Sequence, residues 1–428
     1  MKKETITPYI KSLINLQKTP ENIKFGLERI KTLLKALDNP QKNYQILHVA
    51  GTNGKGSTCT FLDSICRESG LRSGKFISPH LNSIRERIVI NNKIINKYDF
   101  IYLEKKVSIA ALTLIDKPSF FEHILAMALL GFKEAKIEIA ILEVGVGGRL
   151  DATNIITPVV CGISQIDMDH VNILGNSIKK IAIEKAGIIK SRIPIITIQQ
   201  HKNALNEIKK IAKEKNAPLT IIKNSKTVIL NIKSGLEGSF QDNNLALAIE
   251  MLNSTKLAPK LLAIKKGAKN ARWPGRYEVI KNNPKIIFDG AHNSGAIKTL
   301  INTLLKDSRF MNIPMFVVLG MTHSHNSLSF IKNWLNESKN IFPQKLFITQ
   351  SKNLKSIKAT KLAANFTLAG FNLEVILQSH KALNIAIKLA KKNNGYVLVT
   401  GSLYLVGELR SIFFKVPIDP ILPNAKLS

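Results

Sequence analysis

The sequence predicts an α/β protein of two domains, each built on a mostly parallel sheet. Its 428 residues are more than one hydrophobic core usually serves. Short apolar runs alternate with helical patterns, which is typical of βαβ units. Chain-breaking residues cluster at 273–276 (WPGR) and 282–284 (NNP), and the alternation then starts again. We therefore expect a larger domain over residues 1–278 and a smaller one over residues 285–428.

The strands and helices follow from the same alternation. In the first domain, apolar runs predict strands at 46–50, 139–144, 159–163 and 193–198, with helices such as 58–69 and 121–132. In the second domain they predict strands at 285–289, 314–319, 345–349, 373–377 and 396–400. Each of these five is followed by a helical pattern, so we expect the smaller domain to be Rossmann-like.

Composition limits the class of protein. Hydrophobic residues make up 45% of the chain and charged residues 21%, as in an ordinary globular protein. No apolar run approaches the length of a membrane span, and Met1-Lys2-Lys3 is not followed by an apolar core, so we expect neither a membrane partner nor a signal peptide. Three cysteines without metal spacing make a disulfide framework or zinc site a poor explanation. We expect a cytoplasmic monomer.

The net charge of +32 raises the question of nucleic-acid binding. Lysine, asparagine and isoleucine are abundant from end to end, which indicates a general composition bias. No basic stripe is interleaved with aromatic residues, which are only 6% of the chain. We therefore expect no nucleic-acid partner, although part of the charge can attract anionic ligands.

Residues 46–58 read ILHVAGTNGKGST and predict a nucleotide site. The usual phosphate loop is G-x-x-x-x-G-K-[ST], whereas here Val49 takes the first glycine position and Gly56 follows Lys55. A strand, a glycine loop and a helix still form the context that cradles phosphates, so we expect an ATPase-like P-loop domain. The alternative is a plain glycine-rich turn. The candidate ATP ligands are Gly51, Thr52, Asn53, Gly54, Lys55, Gly56 and Ser57.

Two further features can be interpreted from the residues alone. Glu143 ends an apolar strand, where parallel sheets bind ligands, and its carboxylate could hold Mg²⁺ beside the phosphates. Ser119 and Glu122 have the spacing of a helix capping box, which is a complete structural explanation for both.

Several motifs together resemble the folylpolyglutamate synthase and dihydrofolate synthase family, a branch of the Mur-type ligases. The spelling GTNGKGST, with its glycine after the lysine, separates this branch from the Mur enzymes. The other matches span residues 20 to 410 in the family's order. They include GLERI at 26–30, SPH…ERI at 78–88, LEVGVGGRLDATN at 142–154, EKAGI at 184–188, WPGR at 273–276 and DGAHN at 289–293.

The resemblance implies a magnesium site and a modified lysine. In the family, residues matching Ser78, Glu143 and His170 hold Mg²⁺. A neutral imidazole is an unusual ligand for this hard ion, so the His170 assignment depends on the match. Lys185 matches a lysine that is carbamylated, and a buried lysine has the lowered pKa that lets its neutral amine react with CO₂. Lys55, Lys185 and His170 are the catalytic candidates.

The resemblance also assigns nucleotide and folate contacts. Asn244, Arg276, Asp289 and His292 match ATP-binding positions, although Leu245 follows Asn244 where the family has alanine. The pterin-side candidates are Ile23, Phe25, Ser119, Phe121, Glu122, Asp151 and Ala152. The chain departs from the family at residues 320–326, where a Lys-Asp pair is missing. His323 and His325 stand there, and we interpret this stretch as a polar loop rather than a metal site.

These matches imply ATP-dependent ligation of L-glutamate to a folate through an acyl phosphate. The acceptor is 7,8-dihydropteroate, tetrahydrofolate or both, and the pterin-side matches favour a bifunctional enzyme. A folylpolyglutamate synthase without the first activity is the near alternative. A basic P-loop ATPase stimulated by nucleic acid and a non-enzymatic nucleotide-binding module are the alternatives of other classes.

Overall fold

A computed structural model describes residues 6–18, 26–229, 231–280, 283–323, 326–337 and 342–419. The candidates Ile23 and Phe25 and the loop residue His325 lie outside these ranges. Within the described part of the chain, the helices are too short or too polar to cross a membrane.

The first unit contains an eight-stranded sheet in the order β4-β3-β2-β5-β1-β6-β7-β8. Its strands are β1 (Gln45–Ala50), β2 (Ser73–Phe76), β3 (Ile88–Ile90), β4 (Lys93–Ile94), β5 (Ile139–Glu143), β6 (Val160–Ile163), β7 (Ile195–Ile198) and β8 (Leu219–Ile222). All neighbouring pairs from β2 to β8 are parallel, while β3 and β4 extend the edge in antiparallel pairs. The carboxyl ends of β1, β5 and β6 therefore meet at one edge of the sheet.

Helices cover both faces of this sheet. They are α1 (Ile6–Lys18), α2 (Glu28–Ala36), α3 (Lys55–Glu68), α4 (Lys97–Leu112), α5 (Phe120–Glu134), α6 (Val171–Leu174), α7 (Ile178–Ala186), α8 (Lys202–Glu214), α9 (Ser225–Val228), α10 (Gln241–Asn253) and α11 (Leu261–Asn270). Successive side chains of β5 point to opposite faces of the sheet. Ile139 and Ile141 pack with α3 and α10 on one face, and Ala140 and Leu142 pack with α4 and α5 on the other. The central strands are thus buried on both faces, as parallel strands usually are.

The second unit is a six-stranded sheet in the order β13-β12-β11-β14-β10-β9. Its strands are β9 (Glu278–Ile280), β10 (Ile286–Phe288), β11 (Met315–Leu319), β12 (Lys345–Gln350), β13 (Leu373–Gln378) and β14 (Tyr396–Thr400). Its helices are α12 (Ser294–Lys306), α13 (Ser327–Glu337), α14 (Ala359–Leu368), α15 (Ser379–Lys392) and α16 (Leu403–Phe414). Among the described strands of this sheet, only β9 is antiparallel to its neighbour. Cores on both faces of the sheet hold these helices.

The predicted α/β class is confirmed, with two parallel-rich sheets and strands at all nine predicted places. The helix predicted at 58–69 begins three residues earlier, at Lys55, because Gly54 takes a left-handed backbone (φ 91°) as its N-cap. The division between residues 278 and 285 stays a prediction, and β9 already pairs within the second sheet.

The buried central strand supports a stability prediction. Replacing Leu142, which is fully buried in β5, with alanine should cost about 2–5 kcal/mol, since it removes apolar contacts and leaves a cavity. The same change at Leu112, whose side chain is 74% exposed on α4, should stay within about 0.5 kcal/mol. Urea unfolding followed by circular dichroism measures both. Equal losses in the two variants would contradict this packing.

Candidate active site

The phosphate loop is fixed to the neighbouring strand by its own backbone. The N–H groups of Thr52 and Asn53 donate to the carbonyl oxygen of Gln165 at 2.8 and 3.1 Å. These two amides therefore hold the loop against the segment after β6. The helix α3 begins at Lys55, so the first-turn N–H groups of Lys55, Gly56 and Ser57 supply the positive end that binds an anion.

Two glycines of the loop have no room for a side chain. Gly51 has a φ of +145°, and a Cβ there would overlap Ser164 Oγ. Gly54 has a φ of +91°, and a Cβ there would overlap Asn244 Oδ1. The structure thus brings Asn244, from α10, against the loop, while its role in nucleotide binding stays a prediction.

The buried carboxylate of Glu143 lies at the centre of the site. It is 4% exposed, and its Oε2 accepts the N–H of Ser78 at 3.1 Å. Burial raises the pKa of Glu143, and the opposing cations, Lys55, Arg276 and Lys75, lower it. The structure therefore brings together Ser78, Glu143 and Lys55 from three separate segments.

His170 and Lys185 lie beside the same lysine. Burial lowers the pKa of His170, and the charges of Lys55 and Lys185 lower it further against the opposing effect of Asp169. Lys185 is 4% exposed on the last turn of α7, and its Nζ donates to the carbonyl oxygen of Gly51 at 2.8 Å. Burial and the charge of Lys55 lower the pKa of Lys185 to about 7. Much of this lysine is therefore a neutral amine near neutral pH.

The donor set fits Mg²⁺ shared with a phosphate ligand. Among the described residues, no three His, Cys, Asp or Glu side chains form a metal cage. Mg²⁺ usually takes one or two protein carboxylates and completes its shell with water and substrate phosphates. Glu143 is one buried carboxylate next to a phosphate loop, and Ser78 lies beside it. These two residues would provide only part of a Mg²⁺ shell, and water and phosphate oxygens would complete it.

Arg276 lies at the seam between the two sheets. Burial lowers its pKa, and the carboxylates of Asp289 and Glu143, one from each side of the seam, raise it. Both oxygens of Asp289 accept backbone N–H groups, from Tyr277 and from Ala291, each at 2.8 Å. Asp289 thus shapes the loop after β10. Its contact with a nucleoside, and that of His292 two residues past Gly290, stay predictions.

The capping box at the start of α5 is present. The N–H of Ser119 donates to Glu122 Oε2 at 2.7 Å, and the N–H of Glu122 donates to Ser119 Oγ at 3.3 Å. Glu122 also pairs with Arg29 at 3.2 Å. These bonds explain Ser119 and Glu122 without a ligand, so their pterin contacts stay predictions.

Phe121 and Asp151 meet at the glycine loop that follows β5. A Cβ on Gly145 would come within 2.7 Å of the ring of Phe121. Oδ2 of Asp151 accepts the N–H groups of Gly145 and Val146 at 3.1 and 3.0 Å. Asp151 and the following Ala152 are both buried. The carboxylate of Asp151 thus fixes the loop. The contact of Asp151 with a pterin stays a prediction.

Contacts across the seam include residues that sequence reasoning missed. Asn293, the N-cap of α12, exchanges amide hydrogen bonds with Asn53 at 3.3 and 3.5 Å. Asn53 also donates to Asp167 Oδ2 at 3.1 Å. The side-chain amide of Asn82 donates to the carbonyl oxygen of Gly407 at 2.8 Å, so the loop after Ser78 reaches α16. Asn293 was detectable as a cap, but not as a partner of the phosphate loop.

The altered loop at residues 320–326 is described only in part. The backbone N–H of His323 donates to the carbonyl oxygen of Lys355 at 2.9 Å, and Thr322 forms a β-bridge with Ser356. This backbone pairing agrees with a polar loop, while His325 lies outside the described residues.

Comparisons with known proteins agree over both units. A model of the Mur ligase middle domain matches residues 49–252, and a model of the dihydrofolate synthetase C-terminal domain matches residues 275–412. The dihydrofolate synthase/folylpolyglutamate synthase of Bacillus subtilis is 34% identical over 91% of this chain and 95% of its own. The dihydrofolate synthetase of Saccharomyces cerevisiae is 32% identical over 91% and 98%.

Solved structures give the same result. The E. coli FolC structure in complex with DHPP and ADP superposes with a TM-score of 0.86 at 28% identity, covering 95% of this chain and 98% of that one. A bifunctional folylpolyglutamate synthase/dihydrofolate synthase of Yersinia pestis, complexed with AMPPNP and Mn ion, gives a TM-score of 0.84 at 26% identity, covering 95% and 98%.

The lowered pKa of Lys185 predicts a pH-dependent stability. Below pH 7 the folded protein carries the full cost of a buried ammonium, and this cost falls as pH rises through 7 toward the ordinary value of 10.5. We therefore expect the free energy of unfolding of wild type, relative to that of Lys185→Met, to rise by up to about 1.4 kcal/mol per pH unit over this window. Urea unfolding in CO₂-free buffer between pH 6.5 and 9 measures the difference.

An exposed lysine on α8 provides the control. The difference between wild type and Lys213→Met should stay constant over the same pH range, because this side chain remains in water. A difference for Lys185→Met that is equally constant would contradict the buried amine.

Proposed function

This chain belongs to the dihydrofolate synthase and folylpolyglutamate synthase family of amide-bond-forming ligases, and we propose that it is bifunctional. It joins L-glutamate to 7,8-dihydropteroate and to tetrahydrofolate with ATP and Mg²⁺. The observation that carries the proposal is the meeting of Lys55, Glu143 and Arg276 between the phosphate loop and the glycine loop at Gly145. The names of the Bacillus and Yersinia relatives support both activities.

The chemistry requires activation of the folate carboxylate. One carboxylate oxygen attacks the γ-phosphorus of ATP and ADP leaves, which produces an acyl phosphate. The α-amine of glutamate then attacks the acyl carbon, phosphate leaves with that oxygen, and the amine loses a proton. Lys55 and Arg276 would stabilise the charge that develops on the transferring phosphoryl group. Mg²⁺ held by Glu143, Ser78 and His170 would supply further positive charge to the phosphates.

The seam between the two sheets would protect the acyl phosphate from water. Asn53 and Asn293 tie the phosphate loop to α12, and Asn82 ties the loop after Ser78 to α16. These contacts place the second unit over the phosphate loop, and exclusion of water there prevents hydrolysis of the intermediate.

Lys185 would be carbamylated in the active enzyme. Its neutral amine attacks the carbon of CO₂ and loses a proton, which leaves a carbamate anion beside Lys55 and His170. The lowered pKa supplies the neutral amine, and the contact between its Nζ and Gly51 places the product at the phosphate loop. The protein would work as a cytoplasmic monomer with small-molecule partners only.

The test is release of ADP by purified protein with ATP, Mg²⁺ and L-glutamate, with either 7,8-dihydropteroate or tetrahydrofolate as acceptor. Turnover with both acceptors is the expected result. Turnover with tetrahydrofolate alone would make the protein a folylpolyglutamate synthase without dihydrofolate synthase activity, and would contradict the proposal that it is bifunctional. Release that ignores glutamate but responds to nucleic acid would replace the ligase with a P-loop ATPase.

Glu143→Gln should lower kcat by at least about a hundredfold, because it removes the buried anion that would hold Mg²⁺. The matched control is Glu138→Gln, just before β5, where the half-exposed carboxylate pairs with Arg72. The control should keep its activity within about twofold. A Glu143→Gln enzyme with wild-type kcat and an unchanged requirement for Mg²⁺ would remove Glu143 from the metal site.

A further inference from the structure

The residue after the phosphate-loop lysine lies under an aromatic ring. A Cβ on Gly56 would come 2.6 Å from Trp273 Cζ2, closer than real Cβ atoms approach a neighbour, and 3.1 Å from its Cε2. Trp273 therefore packs on the first turn of α3 only because residue 56 has no side chain. This contact explains why the loop reads Gly-Lys-Gly-Ser where the usual loop has a hydroxyl residue directly after the lysine.

The ring of Trp273 is held from further sides. The ammonium group of Lys75 lies 5.5 Å from the ring centroid, in the range of a cation–π contact. Lys75 is itself buried on β2 and pairs with Asp63 of α3 at 3.7 Å. The ring also packs against the apolar core beneath α3 and α10. Its position is thus fixed relative to the helix that begins at the phosphate loop.

A short and tightly bonded segment connects this ring to Arg276. Gly275 has a φ of +69°, and its N–H donates to Glu278 Oε2 at 2.9 Å. Its carbonyl oxygen accepts the N–H of Gly290 at 2.9 Å. A Cβ on Gly275 would come 2.9 Å from Val406 of α16, so the segment has little freedom to shift. Arg276 follows immediately, between Glu143 and Asp289.

We propose that Trp273 is a positioning residue of the nucleotide site, which sets the place of Arg276 relative to Lys55 by packing its ring on Gly56. The proposal rests on the ATP site proposed above. Because the segment continues into β9 of the second sheet, the same contact links the phosphate loop to the attachment of the second unit. Displacing the ring should therefore move Arg276 away from the phosphates while the two cores stay folded.

The experiment is a double-mutant cycle between Gly56→Ala and Trp273→Leu, read out as KM for ATP, KM for glutamate and kcat. Each single change should raise KM for ATP at least about tenfold with little effect on KM for glutamate. In the double variant the alanine meets no ring, so its loss should match that of Trp273→Leu alone. Trp273→Phe keeps an aromatic face and should stay within about threefold of wild type. Losses that simply add would overturn the proposal.

Gly74→Ala is the matched control for a glycine under a ring. A Cβ on Gly74 would come 2.6 Å from the ring of Phe132, away from the phosphate loop. This variant should lower the melting temperature and leave KM for ATP unchanged. If it raised KM for ATP as much as Gly56→Ala, or if Trp273→Leu changed only the melting temperature, Trp273 would be merely structural.

Equilibrium binding of ADP by calorimetry separates this proposal from the proposed ligase activity. The double-mutant cycle of Gly56→Ala and Trp273→Leu, measured as Kd for ADP, should show the same coupling between these two residues whether or not the wild type ligates glutamate. If wild type binds ADP and the variants bind it equally well, the positioning role is wrong even in an active ligase.

Discussion

The burial of one carboxylate, that of Glu143, among cations from separate segments is the constraint on which the rest of the site depends. Taking a carboxylate out of water is costly unless charges and hydrogen bonds replace the water. Lys55 comes from α3, Lys75 from β2 and Arg276 from the segment 273–276, and Ser78 donates its N–H. Each of these segments must be in place before the carboxylate is compensated, so folding and assembly of the site are coupled.

Hydrogen bonds to backbone groups hold the two loops of the site in place. The phosphate loop is fixed by the carbonyl oxygen of Gln165, and the glycine loop by the carboxylate of Asp151. Both loops follow strands of the same parallel sheet, so their active groups open toward the same edge. Two side chains face the phosphate loop from the other side of the site. Asn293 belongs to the second unit, and Arg276 belongs to the segment that leads into β9. A ligand bound between these parts would contact both units, so the proposed binding of ATP would both align its phosphates and exclude water.

The local pattern of the chain was enough to predict the buried strands and the capping box at Ser119. β2 was missed because its sequence, SGKF, has no apolar alternation. Its Lys75 is buried and pairs with Asp63 of α3, which is a tertiary contact that the local sequence does not state. Motif matches were enough to name Lys185 and Glu143, but the lowered pKa of Lys185 depends on burial that a motif does not state.

Contacts between distant parts of the chain could not be predicted for the same reason. The amide pair of Asn53 with Asn293, and the ring of Trp273 on Gly56, join segments more than half the chain apart. The sequence did contain one trace of the second contact, the glycine after Lys55. The structure explains this glycine, because it places the first turn of α3 against Trp273.

The most direct test of the account follows an oxygen atom. Dihydropteroate labelled with ¹⁸O in its carboxylate would be ligated to glutamate with ATP and Mg²⁺, and the released phosphate examined by mass spectrometry or ³¹P NMR. Each released phosphate should contain one ¹⁸O atom, because the attacking carboxylate oxygen leaves with the phosphoryl group. Amide formation with unlabelled phosphate would contradict the acyl phosphate, and with it the role given to Lys55, Glu143 and Arg276.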